Sequence, residues 1–398
     1  MLTATGRALT RRRVLVLGAM PGLAGLGAGC STPPRAVRAE PTDAVFDDRL
    51  FRPLLPAPDA ATLFDRSPAM REYLARRIEP QVRRKGAPVA LIDALYTQGE
   101  LRLDYDAQVT RTAAEAFEAR SGNCLSLVIM SAALARQLGL PVQFHSVHSD
   151  AGWGRSGDLL VSSGHVNLVL RHPSGDARTR FDVVEAMLID FEPPRPGEKQ
   201  YSRSISESTV LAMYMNNRAA ESLAAGEVDE AYWFARAAIE SEPTFLAAHN
   251  TLAVVYLRHG QPQRAERVLQ RLLAAEPANT AALANLARLY EKQGRTPEAA
   301  AVQQRLARIE PVPPYHYFQL GLEAMQRRDY AQAKAMFEKE IDRAAYHHEF
   351  HFGLALANYG LGNVKEAQRQ LALAMKASTR DADRQLYAGK LERLKALR

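Results

Sequence analysis

The chain has 398 residues, 47% of them apolar, which is enough for two domains with cores of their own. Of its formal charge of +7, four charges come from Arg7, Arg11, Arg12 and Arg13, all before residue 30 where no acid occurs. The rest of the chain is therefore close to balanced and shows no basic stripe interleaved with aromatics, which argues against nucleic acid as a partner.

The first 30 residues have the layout of an export signal. Thr10-Arg11-Arg12-Arg13-Val14-Leu15 resembles a twin-arginine signal and equally fits a plain basic start. The apolar run VLVLGAMPGLAGLGAG follows, too short and too rich in Gly for a good membrane-spanning helix. Gly27, Ala28 and Gly29 precede Cys30 as a lipoprotein signal peptidase site requires, although the Leu usual three places before the cysteine stands one place earlier, as Leu26. The expectation is a signal peptide over 1–30, a lipid on Cys30, and an exported, periplasmic, membrane-anchored protein. Residues 31–60, rich in Pro, Ala and charge, read as a flexible linker.

A mixed region covers 61–205. Its sharpest feature is RSGNCLSLVIMSAALARQLGLPV, where Ser121, Gly122 and Asn123 are turn and N-cap types and Cys124 opens a helix. From Leu125 to Leu138 that helix is apolar nearly all round, so it belongs at the centre of a domain, and Gly139 and Pro141 end it. The backbone N–H groups at its start favour a thiolate and could serve an oxyanion. Only two cysteines exist, and a lipid on Cys30 would leave Cys124 as a lone thiol in an oxidising compartment.

A nucleophilic cysteine needs a base, and the base an orienting group. The strand-like run SSGHVNLVLRH puts His165, Asn167 and Val169 on one face and Val166, Leu168 and Leu170 on the other. The return strand TRFDVVEAMLIDFEPP offers two acids. A tight hairpin centred on Ser174–Gly175 favours Asp182, and a longer loop favours Asp190. His145 and His148 fall on a short strand near this cleft, with Trp153 beyond them as either a channel lining or an aromatic packed under a loop.

RSGNCLSLVIMSAALARQLGLPVQF, followed by GHVNLVL and IDFEPP, resembles the bacterial transglutaminase-like family over roughly residues 70–205. The resemblance implies an α+β papain/transglutaminase-like domain with Cys124 as nucleophile and His165 as general base. Its third member is an Asp followed by Phe and then Pro, which fits Asp190, with Asp182 as the alternative. It also implies acyl transfer through a thioester with no cofactor and no metal.

The remainder, 208–398, repeats itself. Gly226, Gly260 and Gly294 are 34 residues apart, and so are Ala231, Ala265 and Ala299, and Pro243, Pro277 and Pro311. That is the tetratricopeptide period, with Gly ending the first helix of each pair, Ala allowing close approach and Pro between units. Tyr256 and Tyr290 recur as packing residues, while Ala333, Gly362 and Ala367 carry the register on. Arg328 stands where the fourth unit expects Gly, so its turn is expected to depart from the pattern. Five units and a capping helix over 381–398 give an all-α solenoid whose partner is a protein or peptide. His347 and His351 invite a metal reading, but the Glu that a zinc-protease helix places directly after its first His is missing. Tyr315, Tyr317 and Phe318 read as solenoid core.

Two functions fit this layout. One is an envelope cysteine hydrolase, a peptidase or amidase with a partner-binding repeat domain. The other is a non-catalytic envelope adaptor that works through its repeats.

Overall fold

In the computed structural model the described residues are 45–96, 101, 103–106, 109–149, 153–156, 159–162, 165–171, 186–191, 200–313, 315–344, 347–378 and 381–396. The expected signal segment, Cys30, the first part of the linker and Asp182 lie outside them. The chain divides into two units. The first comprises 1–105, 109–150 and 164–255, and the second 106–108, 151–163 and 256–398.

The first unit begins with helices α1 (Pro68–Tyr73), a π-helical turn (Leu74–Ile78), α2 (Glu79–Lys85) and α3 (Ala87–Tyr96). Pro80 has no N–H to give to the carbonyl four residues back, and its ring would strike that carbonyl, so the helix widens just before it. Strand β1 (Asp104–Tyr105) pairs in parallel with β2 (Ser121–Gly122), on either side of α4 (Ala113–Ala119). The central helix α5 (Cys124–Gln137) follows, with every residue from Leu125 to Ala135 buried, as its unbroken apolar surface requires.

Strand β3 (Val142–Ser149) comes next, then the hairpin β4 (Trp153–Ser156) and β5 (Leu159–Ser162), which groups with the second unit. The side chains of His148 and Trp153 lie outside the described residues. Strands β6 (His165–Arg171), β7 (Ala186–Ile189) and β8 (Gln200–Ile205) complete an antiparallel sheet of order β7-β6-β3-β8. Val166, Leu168, Leu170 and Ile189 are buried on one face of that sheet, and α5 packs against β6.

Helices α6 (Glu207–Ala225) and α7 (Val228–Ser241) belong to the first unit, and α8 (Leu246–Arg258) carries the division between the units at 255/256. The expected boundary at 205/208 is therefore not where the compact units part. The expected linker is also shorter than the 31–60 assigned to it, because residues 45–52 pack on α7. Phe51 stacks on Tyr232 with ring centroids 3.8 Å apart, and the Tyr232 hydroxyl accepts the Asp47 N–H and donates to Asp48. Arg236 forms an ion pair with Asp48, and the Trp233 indole N–H donates to the Arg52 carbonyl. One aromatic stack and a set of polar contacts thus fix a charged segment on α7.

The second unit continues through α9 (Pro262–Ala275), α10 (Thr280–Lys292), α11 (Thr296–Ile309), α12 (His316–Gln326), α13 (Tyr330–Ala344), α14 (His348–Gly360), α15 (Val364–Ala377) and α16 (Asp381–Ala396). Successive helices pack on one another from α12 to α16. Phe337 is fully buried against Gly321 and Gly353, where an added Cβ would meet its ring at 2.5 and 2.9 Å. Glu340, also fully buried, accepts the Tyr317 and Phe318 N–H groups at 2.7 and 3.2 Å and so caps α12, whose N-cap residue Tyr315 supplies no side-chain bond. Tyr315 is buried against Phe350 and Phe318, as expected, whereas Tyr317 sits to the side under Lys339 and Arg343. Tyr256 and Tyr290 are buried.

The turn at Arg328 does not depart from the pattern. Gly226, Gly260, Gly294 and Gly362 have φ of 87°, 75°, 71° and 78°, and Arg328 has 59°. After Gly294 the Arg295 N–H reaches back to Tyr290 at 2.9 Å, and after Arg328 the Asp329 N–H reaches back to Ala324 at 2.9 Å. The orphan carbonyls of the helix end impose the left-handed conformation whatever the side chain.

Candidate active site

Cys124 is the first residue of α5 and half-buried. Its N–H is among those that a helix leaves without an intrahelical acceptor, at the positive end of the dipole. Asn123 caps the helix, its carboxamide oxygen accepting the Ser126 N–H at 2.9 Å and the Ser126 hydroxyl at 2.9 Å. The Ser126 hydroxyl in turn accepts the Arg111 N–H at 2.8 Å. A Cβ at Gly122 would come within 2.6 Å of the Ser126 Cβ, so only Gly fits just before this cap.

His165 opens β6, and its Nε2 is 2.6 Å from Asp190 Oδ1. The β6–β7 register pairs Leu168 with Ile189. Extending it one residue sets Asp190 opposite Asn167 and diagonal to His165, within reach for a carboxylate. This is the longer-loop arrangement of the two weighed above. Cys124 lies close enough to the same imidazole to raise its affinity for a proton. Both His165 and Asp190 are largely buried, with side chains 13% and 10% exposed. Burial disfavours the imidazolium, but the hydrogen bond to Asp190 and the proximity of Cys124 outweigh it, and His165 is pushed up from 6.5 to about 10. At neutral pH the ring is then an imidazolium that donates through Nε2 to Asp190.

Asp190 is held in turn by Tyr96, at the end of α3. The Tyr96 hydroxyl accepts the Asp190 N–H at 3.1 Å and lies 3.2 Å from the Asp190 carbonyl, to which it donates. The Tyr96 ring packs on Phe191, which is buried. The sequence gives no signal for this contact beyond the apolar run that makes α3 a helix. His145 lies on β3 opposite Asn167, and its Nδ1 is 3.0 Å from the Ser202 hydroxyl. In the second unit His351 is buried with Nδ1 2.7 Å from Gln370, and His347 lies outside the helix as the N-cap of α14, its ring against Tyr315 and Phe350. The structure therefore brings His165 and Asp190 together with Cys124 nearby and gives His145, His347 and His351 different partners.

The family profile described as Tetratricopeptide repeat matches residues 250–313 and 318–383. The C-terminal region carries tetratricopeptide repeats. Such repeats form a helical solenoid and serve as scaffolds for protein or peptide partners. A TPR repeat-containing thioredoxin of Arabidopsis thaliana, TTL4, is 39% identical over 69 residues, which are 17% of this chain and 10% of that protein, so the chain spans about a tenth of that relative. Among solved structures, a thermophilic TPR protein of Thermus thermophilus is 22% identical, covering 45% of this chain and 98% of that one with a TM-score of 0.31. PilF of Pseudomonas aeruginosa is 23% identical, covering 46% and 84% with a TM-score of 0.30. YrrB, a TPR protein with an unusual peptide-binding site, is 18% identical, covering 45% and 92% with a TM-score of 0.24.

Proposed function

We propose that the chain joins a repeat scaffold for a protein or peptide to a thiol-dependent acyl-transfer site in a transglutaminase-like domain. The observation that carries this reading is the 2.6 Å bond between His165 and Asp190 on an imidazole whose proton affinity is also raised by Cys124, the first residue of a buried helix. Cys124, as the thiolate paired with the imidazolium, attacks a carboxamide or peptide carbonyl, and the helix-start N–H groups receive the oxyanion. The proton held by His165 passes to the leaving amine as the C–N bond breaks and the thioester forms. Water, deprotonated by the same imidazole, then attacks the thioester, releases the acid and restores the thiolate–imidazolium pair. Asp190 keeps the ring oriented and balances its charge throughout. An amine in place of water would give a crosslink.

The test is the pH dependence of iodoacetamide labelling at Cys124, read by peptide mass, in the wild-type chain and in His165→Ala. Fast labelling well below pH 8 that the substitution abolishes supports the triad. Labelling that is absent, or indifferent to His165, sinks it.

A second reading, a non-catalytic envelope adaptor, is favoured by the repeat match, which lies wholly within 250–383 and so speaks for partner binding alone. An inert Cys124 together with retained partner binding is its signature. Export through residues 1–30 and a lipid on Cys30 belong to both readings. Metabolic labelling with a fatty acid, lost in Cys30→Ala, is the expected result for that part.

A further inference from the structure

Helix α6 ends on Gly226, the first glycine of the 34-residue register, yet it is tied to the cysteine helix at both ends. At its start Glu207 forms an ion pair with Arg136 in the last turn of α5, whose guanidinium also lies over the Phe64 ring at 4.4 Å. Near its end the Glu221 carboxylate accepts the Thr110 N–H at 2.8 Å. The Thr110 hydroxyl accepts from Asn123 Nδ2 at 2.8 Å, and Asn123 is the cap on which Cys124 sits. Glu207 to Glu221 and Asn123 to Arg136 are almost the same number of residues, so at 1.5 Å per residue each pair spans roughly 20 Å. The two helices therefore run antiparallel, bridged at both ends by side chains. The inner part of the bridge is buried: Thr110 and Ser126 are 1% and 0% exposed, and Asn123 8%. Burial pushes the Glu221 carboxyl up, opposed by its bonds to Thr110 and by Arg218 and Arg111.

From this geometry we infer that Glu221 is a positioning residue for Cys124, acting through Thr110 and Asn123, so that the first helix of the repeat register is a working part of the thiol site. The Thr110 N–H is buried, and without Glu221 it has lost its acceptor. The loop at 110–111 must then shift, and it carries both the hydroxyl that orients Asn123 and the N–H that orients Ser126. The helix start, and with it the thiol and its N–H groups, loses its alignment to His165. A chain cut before α6 would lose this splint entirely.

The inference rests on the thiol–imidazole reading proposed above, and the experiment separates the two. The second-order rate of iodoacetamide labelling at Cys124 is measured from pH 5 to 9 in the full chain. The variants are His165→Ala, Glu221→Ala, Glu221→Gln and Thr110→Val, with Phe337→Leu as a destabilised control remote in sequence. Glu221→Ala is expected to slow labelling near pH 6.5 by about tenfold and to raise its pH midpoint. Glu221→Gln, which still presents an oxygen to Thr110, is expected to stay within about twofold, and Phe337→Leu to leave the profile alone. Wild-type rates in Glu221→Ala, alongside labelling that does depend on His165, overturn the inference and leave the triad standing. Labelling indifferent to His165 removes the triad itself. Should Glu221→Ala not fold, Thr110→Val cuts the same relay one bond further on while keeping the shape, and a wild-type profile there overturns the inference equally.

Discussion

In helices α12–α16 each helix packs on the next in chain order, whereas the cleft of the first unit is assembled from residues far apart. His165 and Asp190 are 25 positions apart, Tyr96 and Asp190 are 94, and Thr110 and Glu221 are 111. Damage to a stack of neighbours stays near where it is made, because each contact depends on one or two adjacent elements. A cleft built from long-range bonds has several supports, each holding more than one functional group. Its chemistry is accordingly more exposed to substitutions that touch no reacting atom.

The largest expected effect falls in the stacked helices and is chemically silent. Phe337→Ala removes a fully buried ring that fills the space between Gly321 and Gly353. The loss is about 3–5 kcal/mol, and hydrogen exchange should show it as lost protection in α12–α14. Cys124 labelling should be unchanged. A parallel loss of thiol reactivity would break the contrast between the two regions.

Next comes the pH dependence of the cleft. His165 has its folded value raised from 6.5 to about 10, so its stabilising contribution is complete below 6.5 and is lost as pH rises through about 10. Protection of the β6 amides should therefore fall between those limits, by on the order of a few kcal/mol, and His165→Gln should flatten the fall. A flat wild-type profile would remove the ion-pair network from the account.

Tyr96→Phe sharpens the contrast at a single atom. Without the hydroxyl, the Asp190 N–H and carbonyl lose their shared partner in a mostly buried site, at a cost of about 1–3 kcal/mol. The aromatic contact with Phe191 survives. Cys124 labelling below pH 8 should fall with it, since Asp190 no longer holds His165 in place. Unchanged labelling would make Tyr96 a purely structural support.

What could be read from the residues follows the same division. A repeat of 34 residues marks the turns at Gly226, Gly260, Gly294 and Gly362, because each unit solves the same local packing problem. Cys124 at a helix start and His165 on a strand are also local features, visible as a cap and an alternation. The choice between Asp190 and Asp182 depends on the register of β6 against β7, which no residue pattern encodes. Tyr96, Glu221 and the docked segment 45–52 are supports at long range. Each sits in a stretch whose local pattern says helix or linker and nothing about its partner, and the linker assigned to 31–60 is too long for that reason.

The smallest expected effect is a gain in stability, and it concerns the one repeat turn where sequence and backbone disagree. Arg328 holds φ of 59°, a conformation that Gly occupies at the equivalent turns and that brings an L side chain's Cβ close to its own carbonyl. Its backbone bonds are already those of the glycine turns, with the Arg328 N–H on Met325 at 3.0 Å and the Asp329 N–H on Ala324 at 2.9 Å. Arg328→Gly therefore loses no hydrogen bond and relieves steric strain of about 1–2 kcal/mol. The added freedom of glycine in the unfolded chain offsets part of that, leaving a net gain of about 0.5–1 kcal/mol. A raised melting temperature for the helical region, with labelling at Cys124 unaltered, is the expected result. A loss of stability would mean that the Arg328 side chain contributes more to the fourth repeat than its turn geometry costs.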